Sequence, residues 1–164
     1  MIELIVLDVD GTLTDGKIYY SDHGDELKSF NIKDGLMIKS WNNLGKKSAI
    51  ITGRTSNIVE KRAKELDITV VKQGIKNKKI ELDKILKKLR LNYNNVAFIG
   101  DDMNDYNLLK RVEYSFCPFD ANIMVQDLVK YRLQKNGGEG CVAEMIEILL
   151  KKENLEDKFL ELWV

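Results

Sequence analysis

Two aspartates, Asp8 and Asp10, close the apolar run Ile2–Leu7, where Gly11 and Thr12 read as a turn. Acids at the carboxyl end of a buried strand are costly unless a cation or hydrogen bonds offset them. In open α/β sheets that edge is also where ligands bind. The same arrangement recurs along the chain. Ser48–Ile51 runs into Thr52-Gly53-Arg54-Thr55-Ser56, and Asn95–Ile99 runs into Gly100-Asp101-Asp102-Met103-Asn104-Asp105. Lys78 opens a helix after a further strand, Ile68–Val71. A turn with incidental acids could explain one such site but not the repetition. Hard carboxylate oxygens without histidine or thiolate favour Mg²⁺ over zinc. A magnesium ion, a lysine, a hydroxyl and backbone amides suit a phosphoryl group, whose charge they neutralise during transfer. No P-loop sequence is present, which argues against nucleotide-triphosphate chemistry of that type.

The elements that must position these groups follow from periodicity. Helical spacing is predicted over 33–44, 57–66, 78–89, 104–111, 122–129 and 142–150. A fifth short strand is predicted at Tyr114–Cys117. Strand and helix alternate four times, so the expected fold is α/β, a doubly wound parallel sheet with helices on both faces. Ser21–Asp25 has turn chemistry between two β-like runs, giving a predicted β-hairpin over about 17–30, inserted after the first strand. His23, the only histidine, falls at the hairpin tip and reads as an exposed turn residue. Residues 154–164 repeat a helical pattern and read as a tail packed on this domain or on a neighbour. No second-domain boundary or repeat is visible, so residues 1–164 are expected to form one domain.

Composition removes several function classes. There are 26 basic and 26 acidic residues, so the formal net charge is zero and no general nucleic-acid binder is expected. The lysines at 76, 78, 79, 84, 87 and 88 have Glu81 and Asp83 among them and read as a solvated helix face, Lys78 excepted. No apolar run is long enough to span a bilayer. The chain passes from Met1 straight into a strand, so no secretory leader is expected. Cys117 and Cys141 fit no metal or CxxC spacing and are expected to be buried reduced thiols in a cytoplasmic protein.

Asp8-Val9-Asp10-Gly11-Thr12 resembles the DxDGT signature of the haloacid dehalogenase superfamily. Thr52, Lys78 and Gly100-Asp101-Asp102 with Asp105 match its other motifs in order. The resemblance implies a Rossmann-like fold and an aspartyl-phosphate mechanism. In it Asp8 is the nucleophile, and Asp10 protonates the leaving oxygen and then activates water. Thr52 and Lys78 hold the phosphoryl oxygens. The implied Mg²⁺ ligands are the Asp8 side chain, the Asp10 backbone carbonyl and Asp101, with Asp102 and Asp105 orienting metal-bound waters or Lys78. Asp10 separates a phosphatase from a dehalogenase. The segments 15–52 and 74–95 are each too short for the cap domain common in that superfamily, so none is expected.

A closer resemblance rests on Asp15–Tyr19, Gly24–Gly35, Ile51–Arg54, Gln73-Gly74 and Gly137–Gly140. These are similar to the capless family of 3-deoxy-D-manno-octulosonate (KDO) 8-phosphate phosphatases. That likeness implies a cytoplasmic homotetramer acting on a small phosphorylated sugar acid in lipopolysaccharide biosynthesis. Neighbouring subunits would help close each site. Thr52, Gly53, Arg54 and Lys78 would bind substrate, with the Arg54 guanidinium suited to the substrate carboxylate. Related phosphatases take nonulosonate (KDN or N-acetylneuraminate) 9-phosphates, and the Asn154–Asp157 tail fits that alternative. A different-class alternative is a phospho-acceptor switch, which also uses strand-end acids, Thr and Lys with Mg²⁺.

Overall fold

Apolar β-branched and leucine runs supply the central sheet, because strands covered on both faces need no polar alternation. The computed structural model describes residues 1–164. Strand β1 (Leu4–Leu7) is buried throughout. It is followed by the hairpin strands β2 (Tyr19–Tyr20) and β3 (Glu26–Leu27), then α1 (Ile32–Asn43), β4 (Lys47–Ile51), α2 (Asn57–Glu65), β5 (Val70–Lys72) and α3 (Lys78–Leu89). The second half holds β6 (Val96–Ile99), α4 (Tyr106–Leu109), β7 (Tyr114–Cys117), α5 (Ile123–Gln126), β8 (Tyr131–Arg132), α6 (Cys141–Lys152) and α7 (Glu156–Glu161).

Six strands form one parallel sheet in the order β5-β4-β1-β6-β7-β8. Leu7 is in register with both Ile50 and Ile99, so the turns after β1, β4 and β6 open at one edge. The chain leaves β1 toward β4 and later leaves β6 toward β7. The crevice between β1 and β6 is therefore a topological switch point, where doubly wound sheets bind ligands.

Strand alternation divides the core. Ile5 and Leu7 pack with Ile38 and Trp41 of α1, Val59 of α2 and Ile146 of α6. Leu4 and Val6 pack on the other face with Leu82 of α3, Leu108 of α4 and Val125 of α5. Asn31, Ser56 and Asn77 cap α1, α2 and α3 with their side chains. Helix α6 has Gly140 at its N-cap and no side-chain cap of its own. Asp34 of α1 replaces it, accepting the Ala143 N–H at 2.7 Å.

The doubly wound sheet, the hairpin and the absence of a cap domain agree with the sequence. The sixth strand, Tyr131–Arg132, was not expected there. It is two residues at an edge, too short to display a period, and pairs with β7 alone. Hairpin pairing is shorter than the run 17–30, covering Tyr19–Tyr20 and Glu26–Leu27. His23 is exposed, and both cysteines are buried and free. In the tail, Leu155 is buried and Phe159 packs against the core, while Leu160, Leu162 and Trp163 face outward.

Candidate active site

Asp8 follows β1, Thr52 follows β4, Asp101 lies two residues beyond β6 and Lys78 is the first residue of α3. All four converge, and Asp8, Thr52 and Lys78 are buried. The Lys78 ammonium lies 2.7 Å from Asp8 Oδ1 and 2.6 Å from Asp105 Oδ1. Asp105 accepts the backbone N–H of Asp101 at 3.1 Å and that of Asp102 at 3.4 Å through its other oxygen. It thereby ties α3 to the turn after β6. Asp102 Oδ1 accepts the Met103 N–H and the Asn122 side-chain amide, which braces the turn from outside.

Carboxylate oxygens of Asp8, Asp101 and Asp105 lie within 4.8 Å of one another. Burial, and then the charges of Asp8 and Asp105, push the Asp101 carboxyl well above its ordinary range. Burial and then Asp8 raise Asp105, against the opposing pull of Lys78. Burial alone would lower Lys78, but Asp8 and Asp105 outweigh it and hold the ammonium charged. Three acids crowd one ammonium, and the cost of ionising all three together is what raises Asp101 and Asp105. Asp101 Oδ1 is buried and has no hydrogen-bond partner. An all-oxygen donor set, acids whose ionisation needs a counter-charge and an orphaned oxygen fit a hard divalent cation such as Mg²⁺.

Glycines admit this packing. Gly11 has φ +89°, and a Cβ there would collide with the Asp101 carboxylate. A Cβ on Gly137 would strike the Gly11 carbonyl. Gly138 donates to the Thr12 carbonyl at 2.9 Å, so the Gly-rich loop before α6 buttresses the turn after β1.

The cleft at this edge has a volume of 320 Å³. Asp8, Asp10, Thr52, Gly53, Arg54 and Asp101 are among its ten lining residues, and Met103 is the single hydrophobic one. Such a lining suits a charged, hydroxylated ligand. Arg54 stands at the rim with its guanidinium donating to Glu26 Oε1 at 2.7 Å.

Asp10 diverges from Asp8. Its carboxylate pairs with the Lys28 ammonium, which the hairpin delivers, and lies outside the three-acid cluster. Lys28 was missed from sequence, one hairpin lysine among 26 basic residues. Alternation could have raised it, since Leu27 and Lys28 must face opposite ways. Leu27 is exposed, so the lysine is the inward residue.

Comparisons with known proteins show the family to which the chain belongs. The haloacid dehalogenase-like hydrolase family matches residues 68–146. The chain is 39% identical over 157 residues to the KDO 8-phosphate phosphatase KdsC of Escherichia coli K12, covering 96% of this chain and 84% of that one. It superposes with a TM-score of 0.95 on the Moraxella catarrhalis KDO 8-phosphate phosphatase solved with magnesium, phosphate and KDO. That pair shares 36% identity over 99% of this chain and 94% of the other. The cobalt-bound Haemophilus influenzae phosphatase gives a TM-score of 0.89 at 33% identity, over 93% of this chain and 90% of that one. The chain belongs to the KDO 8-phosphate phosphatase family of haloacid dehalogenase-like hydrolases.

Proposed function

We propose that this protein is a Mg²⁺-dependent phosphomonoesterase that hydrolyses KDO 8-phosphate to KDO and phosphate. The observation that carries the reading is the Lys78 ammonium set between Asp8 and Asp105, beside Asp101, at the switch point of the sheet.

Asp8 is the nucleophile. A carboxylate oxygen attacks phosphorus, the bond from phosphorus to the sugar oxygen breaks, and the leaving oxygen takes the proton of Asp10. Asp10 then removes a proton from water as that water attacks the aspartyl-phosphate, which releases phosphate and restores Asp8. Lys78 and the Thr52 hydroxyl hold the phosphoryl oxygens, and the Gly53 backbone closes the same wall. The Asp8 side chain, the Asp10 carbonyl and Asp101 would hold Mg²⁺. The ion supplies charge neutralisation between carboxylate and phosphate when bound. Asp105 keeps Lys78 in place, and Asp102 keeps its turn rigid.

Arg54 meets the substrate carboxylate from the rim, with Glu26 fixing its guanidinium. The polar cleft supports a sugar acid over an apolar ester. Phosphate release from KDO 8-phosphate, set beside nonulosonate 9-phosphates, tests the substrate. A preference for the nonulosonates by orders of magnitude would move the assignment to them. A stable phosphoprotein without turnover would move it to a phospho-acceptor switch.

The hairpin supports a homotetramer. Ile18, Tyr19, Tyr20 and Leu27 stand exposed on it, apolar surface that a neighbouring copy can cover. No helix is long and apolar enough to cross a membrane, and two free buried thiols suit a cytoplasmic location.

A further inference from the structure

The hairpin sends one side chain into the cleft while its neighbours face outward. Tyr20 is 66% exposed and Leu27 is 56% exposed, yet the Lys28 side chain is only 2% exposed. Burying a lysine costs rotamer freedom and ammonium hydration, which only well-placed partners offset. Lys28 has two. Its ammonium donates to Asp10 Oδ1 and lies 3.5 Å from Glu26 Oε1. Glu26 Oε1 also accepts from Arg54 at 2.7 Å. Alternating charges therefore run from Asp10 through Lys28 and Glu26 to Arg54, and both central members come from the hairpin.

Asp10 has little else to hold it. Its carboxylate is a quarter exposed, and Lys28 is its one side-chain hydrogen-bond donor. An aspartate in a 320 Å³ cleft has room to turn. A proton carrier must instead stay within hydrogen-bond reach of the leaving oxygen.

We propose that Lys28 is a positioning residue that fixes the Asp10 carboxyl for proton delivery. Lys28 donates to Oδ1, which leaves Oδ2 to carry the proton passed to the sugar oxygen as the phosphorus–oxygen bond breaks. Lys28 itself does not touch the substrate. The hairpin that stands in the place of a cap thus serves the chemistry within its own subunit. This role rests on the phosphatase reading.

The test exploits leaving-group chemistry. A sugar alkoxide needs a proton to depart, whereas p-nitrophenolate does not. The ratio kcat/KM covers steps up to departure of the leaving group and excludes the later hydrolysis of the phosphoenzyme. Lys28→Met and Lys28→Gln are compared with the unaltered protein on KDO 8-phosphate and on p-nitrophenyl phosphate, with Mg²⁺ saturating. The expected result is a fall in kcat/KM of about 10- to 100-fold on the sugar phosphate, the scale of a misplaced catalytic group. On p-nitrophenyl phosphate kcat/KM stays within about 3-fold, since a proton transfer worth roughly 10²–10⁴ is not needed there. Equal losses on both substrates make Lys28 part of the frame and overturn the proposal. So does an unchanged kcat/KM on the sugar phosphate in either soluble variant. Failure of the phosphatase reading is distinct, because the unaltered protein would then release no phosphate from either ester.

Discussion

Asp105 joins two elements that the chain keeps far apart. One oxygen lies 2.6 Å from the Lys78 ammonium on α3, and the other accepts the backbone N–H of Asp101. The residue that anchors Lys78 therefore also shapes the turn that carries Asp101. A single carboxylate sets the distance between them.

Asp105→Ala should cost both stability and rate. Breaking a buried ion pair costs about 3 kcal/mol or more, a fall in Tm of roughly 6–12 °C at this chain length. With Lys78 held by Asp8 alone, kcat/KM should drop by about 10²-fold. Calorimetry and phosphate release in saturating Mg²⁺ check both numbers. An unaltered Tm would mean that Asp105 does not carry the link.

Gly11→Ala should act on the metal. The residue sits at φ +89°, and its Cβ would strike the Asp101 carboxylate. Asp101 must move, and displacing a group around a metal typically costs about 10- to 100-fold in affinity. The Mg²⁺ concentration that gives half-maximal activity should rise by that factor. No rise would show that Asp101 is not a ligand.

Asp34 should make stability fall as pH rises. Burial pushes its carboxyl up to about 6 from an ordinary 3.8, against the Ala143 N–H that it accepts. The folded chain thus holds this proton more tightly than the unfolded one. Below pH 3.8 the group is neutral in both states and costs nothing. Between there and about 6 the cost grows, and above that it is complete. At about 1.4 kcal/mol per pKa unit, the full effect is roughly 3 kcal/mol. Asp34→Asn removes the titration. The difference in unfolding free energy between parent and variant should therefore shift toward the variant by up to that amount from pH 4 to pH 7. Denaturant melts at the two pH values would contradict this if the difference stayed constant.

Charge on the hairpin should dissociate the assembly. Tyr20→Glu with Leu27→Glu places acids on the exposed hairpin surface that the proposed tetramer would bury. Light scattering should report a smaller species, with secondary structure unchanged. A monomeric parent protein would contradict the tetramer outright.

The sequence made legible those parts of the site that sit at strand ends. Asp8, Thr52 and Asp101 each follow a short buried run, Lys78 opens the helix after the next strand, and a parallel sheet must bring such ends together. Strand β8 escaped because two edge residues carry no period. Lys28 escaped because its place depends on which way the hairpin folds over the cleft. The burial of Asp34 was hidden because an aspartate three residues into a helix reads as an ordinary first-turn acid. Its real task is to cap α6, which is 109 residues away from it at Ala143.

The nucleophile can be read directly. Borohydride added during turnover of KDO 8-phosphate with Mg²⁺ reduces an aspartyl-phosphate to homoserine, and peptide mass spectrometry locates it. Homoserine at position 8 alone, absent in EDTA and in Asp8→Asn, is the expected result. Rapid phosphate release with no modification at Asp8, or undiminished release by Asp8→Asn, would contradict a phosphorylated Asp8.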